Sequence, residues 1–432
     1  MARLPEAARW RLCLGCGMCR FLAGDDRLRL IDLPDEGIRP FVCTDDLSTA
    51  AEFFTACPVR PGAVENRIDC PARYGKDLAV GFGPVRSIFE GYAADPEIRY
   101  RGASGGLLTA LSLFCIERLG MAGVLHTGQD PDNPIRNRTR LSRSRDQLLA
   151  AAGSRYAPGS VCDGLHRVRE APSPCVFIGR PVEVSALAKA RQLLPGLEAR
   201  VGLVLSFFCA EAPSTRGTID LLERLGVDPA ELEELSYRGR GWPGFFAARR
   251  RGEQNAAARM TYRESWAFLQ AYRPWSAHLW PDGTGEMADI SCGDPWYEEP
   301  DGVNPGFSLV VVRTARGESI LRGAVEAGYL GLQPAEPWKL IHSQQGLVSK
   351  KGAVWGRLVA MRLFGIPVPY YPQYHLFENW RRLPAGEKLR STVGTVRRIV
   401  NRGYWKPMEL PPGLVTPTQD QLRPGSMVKG PR

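Results

Sequence analysis

Three cysteines spaced two residues apart, Cys13, Cys16 and Cys19, constrain this chain more than any other stretch. Gly15 and Gly17 stand between them, so one tight loop can turn several sulfurs towards a common centre. Small residues also let the backbone approach closely, so that peptide N–H groups can solvate the sulfides of a cubane. A C-x-x-C-x-x-C run with a distant Cys-Pro is the spacing that holds a [4Fe–4S] cluster. Here the distant pair is Cys57-Pro58, and Cys57 is preferred to Cys43 as fourth ligand. Zinc is the rival metal, because two separate C-x-x-C pairs would suit its tetrahedral site. The second pair is absent, however, and the steps overlap in one triplet. A cluster-bearing head moves electrons, so the remaining residues are expected to include something that accepts them.

The rest of the composition bounds the setting. Eleven cysteines, an odd number scattered over 432 residues, do not read as a disulfide framework, and a reducing cytoplasm fits them. No apolar h-region precedes Cys13, and no run of about 18 uncharged apolar residues occurs, so neither a secretory signal nor a transmembrane segment is expected. Five histidines argue against histidine-rich metal chemistry. The net charge of +10 is concentrated at the end: Leu376 to Arg432 holds eleven Lys and Arg against four Asp and Glu. That excess reads first as a solvated tail, with an acidic protein partner or an anionic membrane as the functional alternative. No zinc finger, basic zipper or aromatic RNA-binding strand accompanies it, so no nucleic-acid partner is expected.

Four units are expected: an iron–sulfur head over 1–75, the two parts of a cofactor-binding domain over 76–165 and 166–365, and a basic extension over 366–432. Short continuous apolar runs predict strands at Gly123–His126, Cys175–Gly179, Val201–Phe208 and Ser308–Arg313. Leu107–Phe114, Val182–Leu193 and Ser214–Leu225 read as helices, the first with Ser104-Gly105-Gly106 as its capped start. The alternation predicts an α/β fold with a largely parallel or mixed sheet and flanking helices.

Several islands can carry chemistry. Arg101 to Gly106 is a glycine-rich turn opening a helix, which suits a phosphate but on its own reads first as a structural turn. Gly153-Ser154-Arg155-Tyr156, Tyr237 to Gly244 (with Arg240, Gly241 and Trp242) and Ala288 to Trp296 combine close-approach glycines, stacking rings and paired arginine donors. Each, taken singly, also reads as an ordered surface loop, and Asp289 and Asp294 as caps or turn residues.

Taken in order, these islands resemble the coenzyme F-420 hydrogenase/dehydrogenase beta-subunit family of iron–sulfur flavoproteins. The resemblance runs from the cysteine head to about residue 350. It rests on Ser104-Gly105-Gly106, Gly153 to Tyr156, Phe177 to Pro181, Ser206 to Ala210, Gly241 to Gly244, Ala288 to Ser291 with Gly293-Asp294, and Arg313-Thr314. It implies an α/β fold binding FAD beside one or more [4Fe–4S] clusters. The Ser104, Gly153 and Trp242 islands would then line the flavin site. Relatives with a second cluster carry further cysteines where this chain has Val182, Ala277 and Trp280; Cys209 remains. One cluster is therefore expected, and a new site built from Cys209, Cys292 and His278 is the lesser alternative.

The resulting expectation is an FAD-dependent iron–sulfur oxidoreductase. Cys13, Cys16, Cys19 and Cys57 would hold the cluster, and electrons would pass between it, FAD and an organic acceptor such as a deazaflavin coenzyme or a tetrapyrrole. A one-electron partner protein such as ferredoxin would serve the cluster. The alternative is an electron-transfer subunit of a larger redox complex, with no substrate of its own. No residue type or spacing points to a proton donor.

Overall fold

The computed structural model describes residues 4–43, 51–61, 74–300 and 304–409. In chain order the strands are β1 (Leu28–Leu33), β2 (Gly37–Val42), β3 (Ser87–Ala93), β4 (Val124–Gln129), β5 (Asn137–Ser142), β6 (Cys175–Gly179), β7 (Val201–Phe207), β8 (Leu232–Ser236), β9 (Phe245–Arg250), β10 (Ala258–Thr261), β11 (Ile290–Gly293), β12 (Ser308–Val312) and β13 (Leu330–Pro334). Eight of them form one sheet in the order β13-β3-β12-β11-β7-β6-β4-β5. The centre is parallel, through β4 with β6, β6 with β7 and β7 with β11. Both flanks are antiparallel, through β5 on one side and β12, β3 and β13 on the other. The sheet is mixed.

The apolar runs are continuous because both faces of the sheet are covered. Along β6, Val176 packs with Leu107, Leu111 and Phe114 of the helix Leu107–Glu117. Its neighbours Cys175 and Phe177 pack with Val184, Leu187 and Ala190 of the helix Pro181–Leu193 on the opposite face. Every residue of β12 is buried. Two smaller sheets stand apart, the hairpin β1–β2 in the cysteine head and the three strands β10-β9-β8.

Two expectations are corrected. Ser104 does not cap the helix Leu107–Glu117: its N-cap is Gly106, at φ 70° and with no side-chain hydrogen bond. A Cβ at Gly106 would run into the Ile98 carbonyl, so glycine is required there. The basic extension is also no solvated tail as far as residue 409. The helix Ala385–Arg402 packs on the long helix Gln345–Leu363, burying Ser391, Thr395 and Ile399. Met408 N–H then bonds to the Arg9 carbonyl at 2.7 Å, which ties the segment back to the head. Residues 410–432 lie outside the described residues. No helix among the described residues is long and apolar enough to cross a membrane.

Candidate functional site: a cysteine loop against a deep cleft

The cysteine loop is shaped by its glycines. Gly17, at φ 84°, is the N-cap of the helix Met18–Ala23, and a Cβ there would meet the Asp163 backbone nitrogen at 2.9 Å. Gly15 N–H reaches Cys13 Sγ at 3.3 Å, and Cys162 N–H bonds the Cys16 carbonyl at 3.2 Å. Cys16, Cys13 and Cys57 lie near enough to Cys19 for their charges to act on it. Burial pushes the Cys57 thiol up to about 12, and the charges of Cys16 and Cys13 push in the same direction. Burial and then Cys16, Cys13 and Cys57 raise Cys19 well above the ordinary thiol value. Cys13 is also raised by burial, against an opposing pull from Arg39. Cys16 is lowered, first by a hydrogen bond from Cys162. Cys43 is exposed and its Sγ faces the Phe41 carbonyl at 3.6 Å. No group of three or more His, Cys, Asp or Glu side chains among the described residues is drawn together as a metal-ion site, and this holds for Cys13, Cys16, Cys19 and Cys57 as it does for Cys209, Cys292 and His278.

Beside this loop opens a cleft of about 820 Å³, in the upper part of the range for cofactor and small-molecule sites. Ser104 and Gly106 line it, as do Leu107, Leu108 and Thr109 from the first turn of the buried helix. Hydrogen bonding within that helix begins with Ala110 N–H to the Gly106 carbonyl at 3.1 Å, so the preceding N–H groups have no intrahelical partner. Gly153, Ser154, Arg155 and Tyr156 line the cleft too. Arg155 is fully engaged in holding its surroundings together. Its guanidinium donates to Asn137 Oδ1 at 2.5 Å, Pro134 O at 2.6 Å, Leu235 O at 2.8 Å and Arg136 O at 3.2 Å.

The third island is placed differently. Gly105 and the stretch Arg240, Gly241 and Trp242 do not line the cleft. Arg240 is exposed and ion-pairs with Glu234, while Gly241 N–H bonds the Tyr100 carbonyl at 2.9 Å. Trp242 supports the wall from behind, stacking on Trp296 at 5.9 Å and donating from Nε1 to Asp294 Oδ1 at 3.2 Å. The wall itself carries Arg238, Asp294 and Trp296. Arg238 is forked onto Asp294 and lies over the Tyr262 ring at 4.5 Å; Tyr262 in turn stacks on Trp296 at 5.4 Å with their planes 4° apart. Tyr262 and Trp266, which sequence reasoning missed, stand on the helix Tyr262–Leu269 at i and i+4, beside Tyr156. That spacing is common in core helices and gave no signal.

Loop and cleft share a wall through one buried arginine. Arg180, the N-cap of Pro181–Leu193, lines the cleft and donates to the Leu14 carbonyl of the cysteine loop at 3.3 Å. It also bonds Gly159 O at 2.9 Å and ion-pairs with Glu183 at 3.1 Å and Glu211 at 3.0 Å. Ser160 Oγ adds a bond to the Gly15 carbonyl at 2.6 Å. Burial lowers the Arg180 proton affinity, but Glu183 and Glu211 more than offset it, so the guanidinium stays charged. The positions that hold Val182 and Trp280 are filled by packing. Both are fully buried in one apolar cluster with Leu12, Val59, Tyr371 and Tyr374, and Trp280 meets Tyr371 edge-on at 5.4 Å.

Comparison with known proteins bears on what this arrangement belongs to. Two family models match, both described as Coenzyme F420 hydrogenase/dehydrogenase, beta subunit: the N-terminal model over residues 88–165 and the C-terminal model over residues 174–337. The beta subunit of coenzyme F420 hydrogenase from Methanococcus voltae is 26% identical over 297 residues, covering 67% of this chain and 99% of that protein. The protein of the same name from Methanothermobacter thermautotrophicus is 24% identical over 304 residues, with the same coverage. A chain of the F420-reducing [NiFe] hydrogenase complex from Methanosarcina barkeri superposes with a TM-score of 0.53 at 21% identity, over 68% of this chain and 98% of that one, which shows a shared fold. With the two models together spanning more than half of its length, the chain belongs to the coenzyme F420 hydrogenase/dehydrogenase beta-subunit family.

Proposed function

We propose that this protein is an iron–sulfur flavoprotein oxidoreductase, in which Cys13, Cys16, Cys19 and Cys57 hold one [4Fe–4S] cluster and the cleft holds FAD. The donor set suits such a cluster in its chemistry: four cysteine thiols whose charges act on one another, a glycine-shaped loop, and Gly15 N–H directed at Cys13 Sγ. When bound, a cluster supplies single electrons and a flavin one or two, which would link a one-electron donor such as ferredoxin to a two-electron organic acceptor. The observation that carries the reading is Arg180, which touches the cysteine loop and lines the cleft, so that the two candidate cofactor sites lie on opposite sides of one side chain.

The remaining roles belong to the chain. The free N–H groups at the start of Leu107–Glu117 suit a pyrophosphate, reinforced by the helix dipole. Ser104, Gly106, Gly153 and Ser154 let a ligand approach the backbone, and Arg155 orders the loop that carries them. Tyr156, Tyr262, Trp266 and Trp296 offer ring faces. The filled space around Val182 and Trp280 supports a single cluster. A second reading, a subunit of a larger redox complex, is favoured by the relatives, which are named as hydrogenase subunits. The test is a Cys13→Ser/Cys16→Ser double variant purified anaerobically. It is expected to keep its flavin, lose its iron, and fail to pass electrons from a one-electron donor to the flavin. Unchanged flavin reduction in that variant would refute the proposed route.

A further inference from the structure

One wall of the cleft carries positive charge that the protein leaves uncompensated. Lys350, on the helix Gln345–Leu363, is only 9% exposed, yet its Nζ has no hydrogen-bond partner. Arg357, two turns further along that helix, lines the same cavity, as do Arg398 of the helix Ala385–Arg402 and Arg273. Arg273 and Arg357 donate to the backbone carbonyls of Ala210 and His278, and Arg398 lies over the Trp275 ring at 5.3 Å. None of the four ion-pairs with a carboxylate among the described residues. Glu211, the carboxylate whose charge acts on Lys350, is already paired with Arg180, and Glu387, which also lines the cavity, accepts from Ser349 Oγ.

The four cations feel one another. Burial first, then Arg273 and Arg357 against the opposing pull of Glu211, brings the Lys350 ammonium down to about 8. Burial and the charges of Arg398 and Arg273 bring Arg357 down to about 10. A buried ammonium without a partner is costly, and the cost is recovered when a complementary anion completes the site. Lys350, Arg357 and Arg398 also lie outside both family matches, which end at residue 337. A cofactor common to the family would be held by the segments common to it. Cations beyond those segments, Lys350, Arg357 and Arg398, instead suit the molecule that this protein handles, whereas Arg273 lies within the C-terminal match.

We propose that Arg273, Lys350, Arg357 and Arg398 form an anion subsite that takes a carboxylate or phosphate group of the organic substrate. Calling the ligand the substrate rests on the redox reading above; the anion site itself does not. The guanidinium forks match either oxyanion bidentately, and the ammonium adds a point charge. The test is calorimetric titration of inorganic pyrophosphate, and separately of citrate, into the full chain at low ionic strength, with and without flavin. One of the two probes is expected to bind flavin-loaded protein at one site. Lys350→Met and Arg398→Gln are each expected to weaken it by about tenfold or more, with flavin content unchanged. Lys350→Met removes an unpartnered buried charge, and Arg398→Gln changes a half-buried helix position, so both are expected to fold. If the protein carries no flavin and still binds the probe with the same sensitivity, the subsite stands and the flavin reading fails. No binding, or variants that bind as the parent does, would overturn the subsite. So would a probe that FAD displaces, because the cations would then be holding the pyrophosphate of the cofactor.

Discussion

Replacing Arg180 with methionine tests whether that side chain joins the cysteine loop to the cleft. The change removes the cation from between Glu183, at 3.1 Å, and Glu211, at 3.0 Å, and both carboxylates are almost fully buried. Breaking a buried ion pair by deleting one partner costs about 3–5 kcal/mol, because the remaining charge is left uncompensated. Bonds to the Leu14 and Gly159 carbonyls go with it. Arg180→Lys keeps the charge but not the fork, so it is expected to lose about half as much. Urea unfolding followed by tryptophan fluorescence reads the loss. A pH dependence identifies its source. Without Arg180, Glu211, already raised by burial, binds its proton still more tightly in the folded state, so its share of the penalty is present above its folded value. It fades as pH falls towards about 4.3, where the unfolded carboxylates also protonate. A penalty below about 1 kcal/mol at neutral pH, or one that does not shrink in acid, would refute the reasoning.

Three further predictions concern other parts of the structure. Gly17→Ala is expected to cost about 2 kcal/mol or more, from the left-handed backbone and the contact with Asp163, and to lower iron content; unaltered stability and iron would count against the glycine argument. Cys57→Ser is expected to lose iron while Cys43→Ser keeps it, read by iron analysis after anaerobic purification; the reverse pattern would reassign the fourth ligand. Glu286 is pushed up to about 7, first by burial, against the pull of Lys351 at 2.7 Å. Because the folded value lies above the unfolded one, its contribution is fully present below about pH 4.5 and falls on the order of 3 kcal/mol as pH rises to about 7. Glu286→Gln is therefore expected to flatten the pH dependence of stability over that window, and an unchanged slope in urea unfolding would exclude it.

How much of this was legible in the sequence depended on burial. β6, β7 and β12 were readable because helices cover both faces of the sheet, so Cys175–Gly179, Val201–Phe207 and Ser308–Val312 are nearly unbroken apolar runs. β5 and β13, at the sheet edges, are half-exposed and mixed in character. The insertion of β3 between β12 and β13 is a long-range pairing that no local pattern encodes. The packing of the helix Ala385–Arg402, in a stretch expected to be irregular or helical, was hidden for a different reason. Two of the three residues it buries, Ser391 and Thr395, are small and polar, so only Ile399 contributes to an apolar stripe. Its arginines therefore counted as surface charge, although Arg398 lines the cleft. At the site, the islands around Ser104 and Gly153 were visible through their glycines. Arg180, Glu183 and Glu211 were not visible as a triad, because their meeting depends on the turn after β6 and the loop after β7.

The central claim, one cluster and one flavin beside each other in this chain, is tested most directly by counting both. Protein purified anaerobically and analysed for iron and flavin is predicted to contain about four irons and one flavin per chain. About eight irons, or careful anaerobic preparations with neither iron nor flavin, would contradict it.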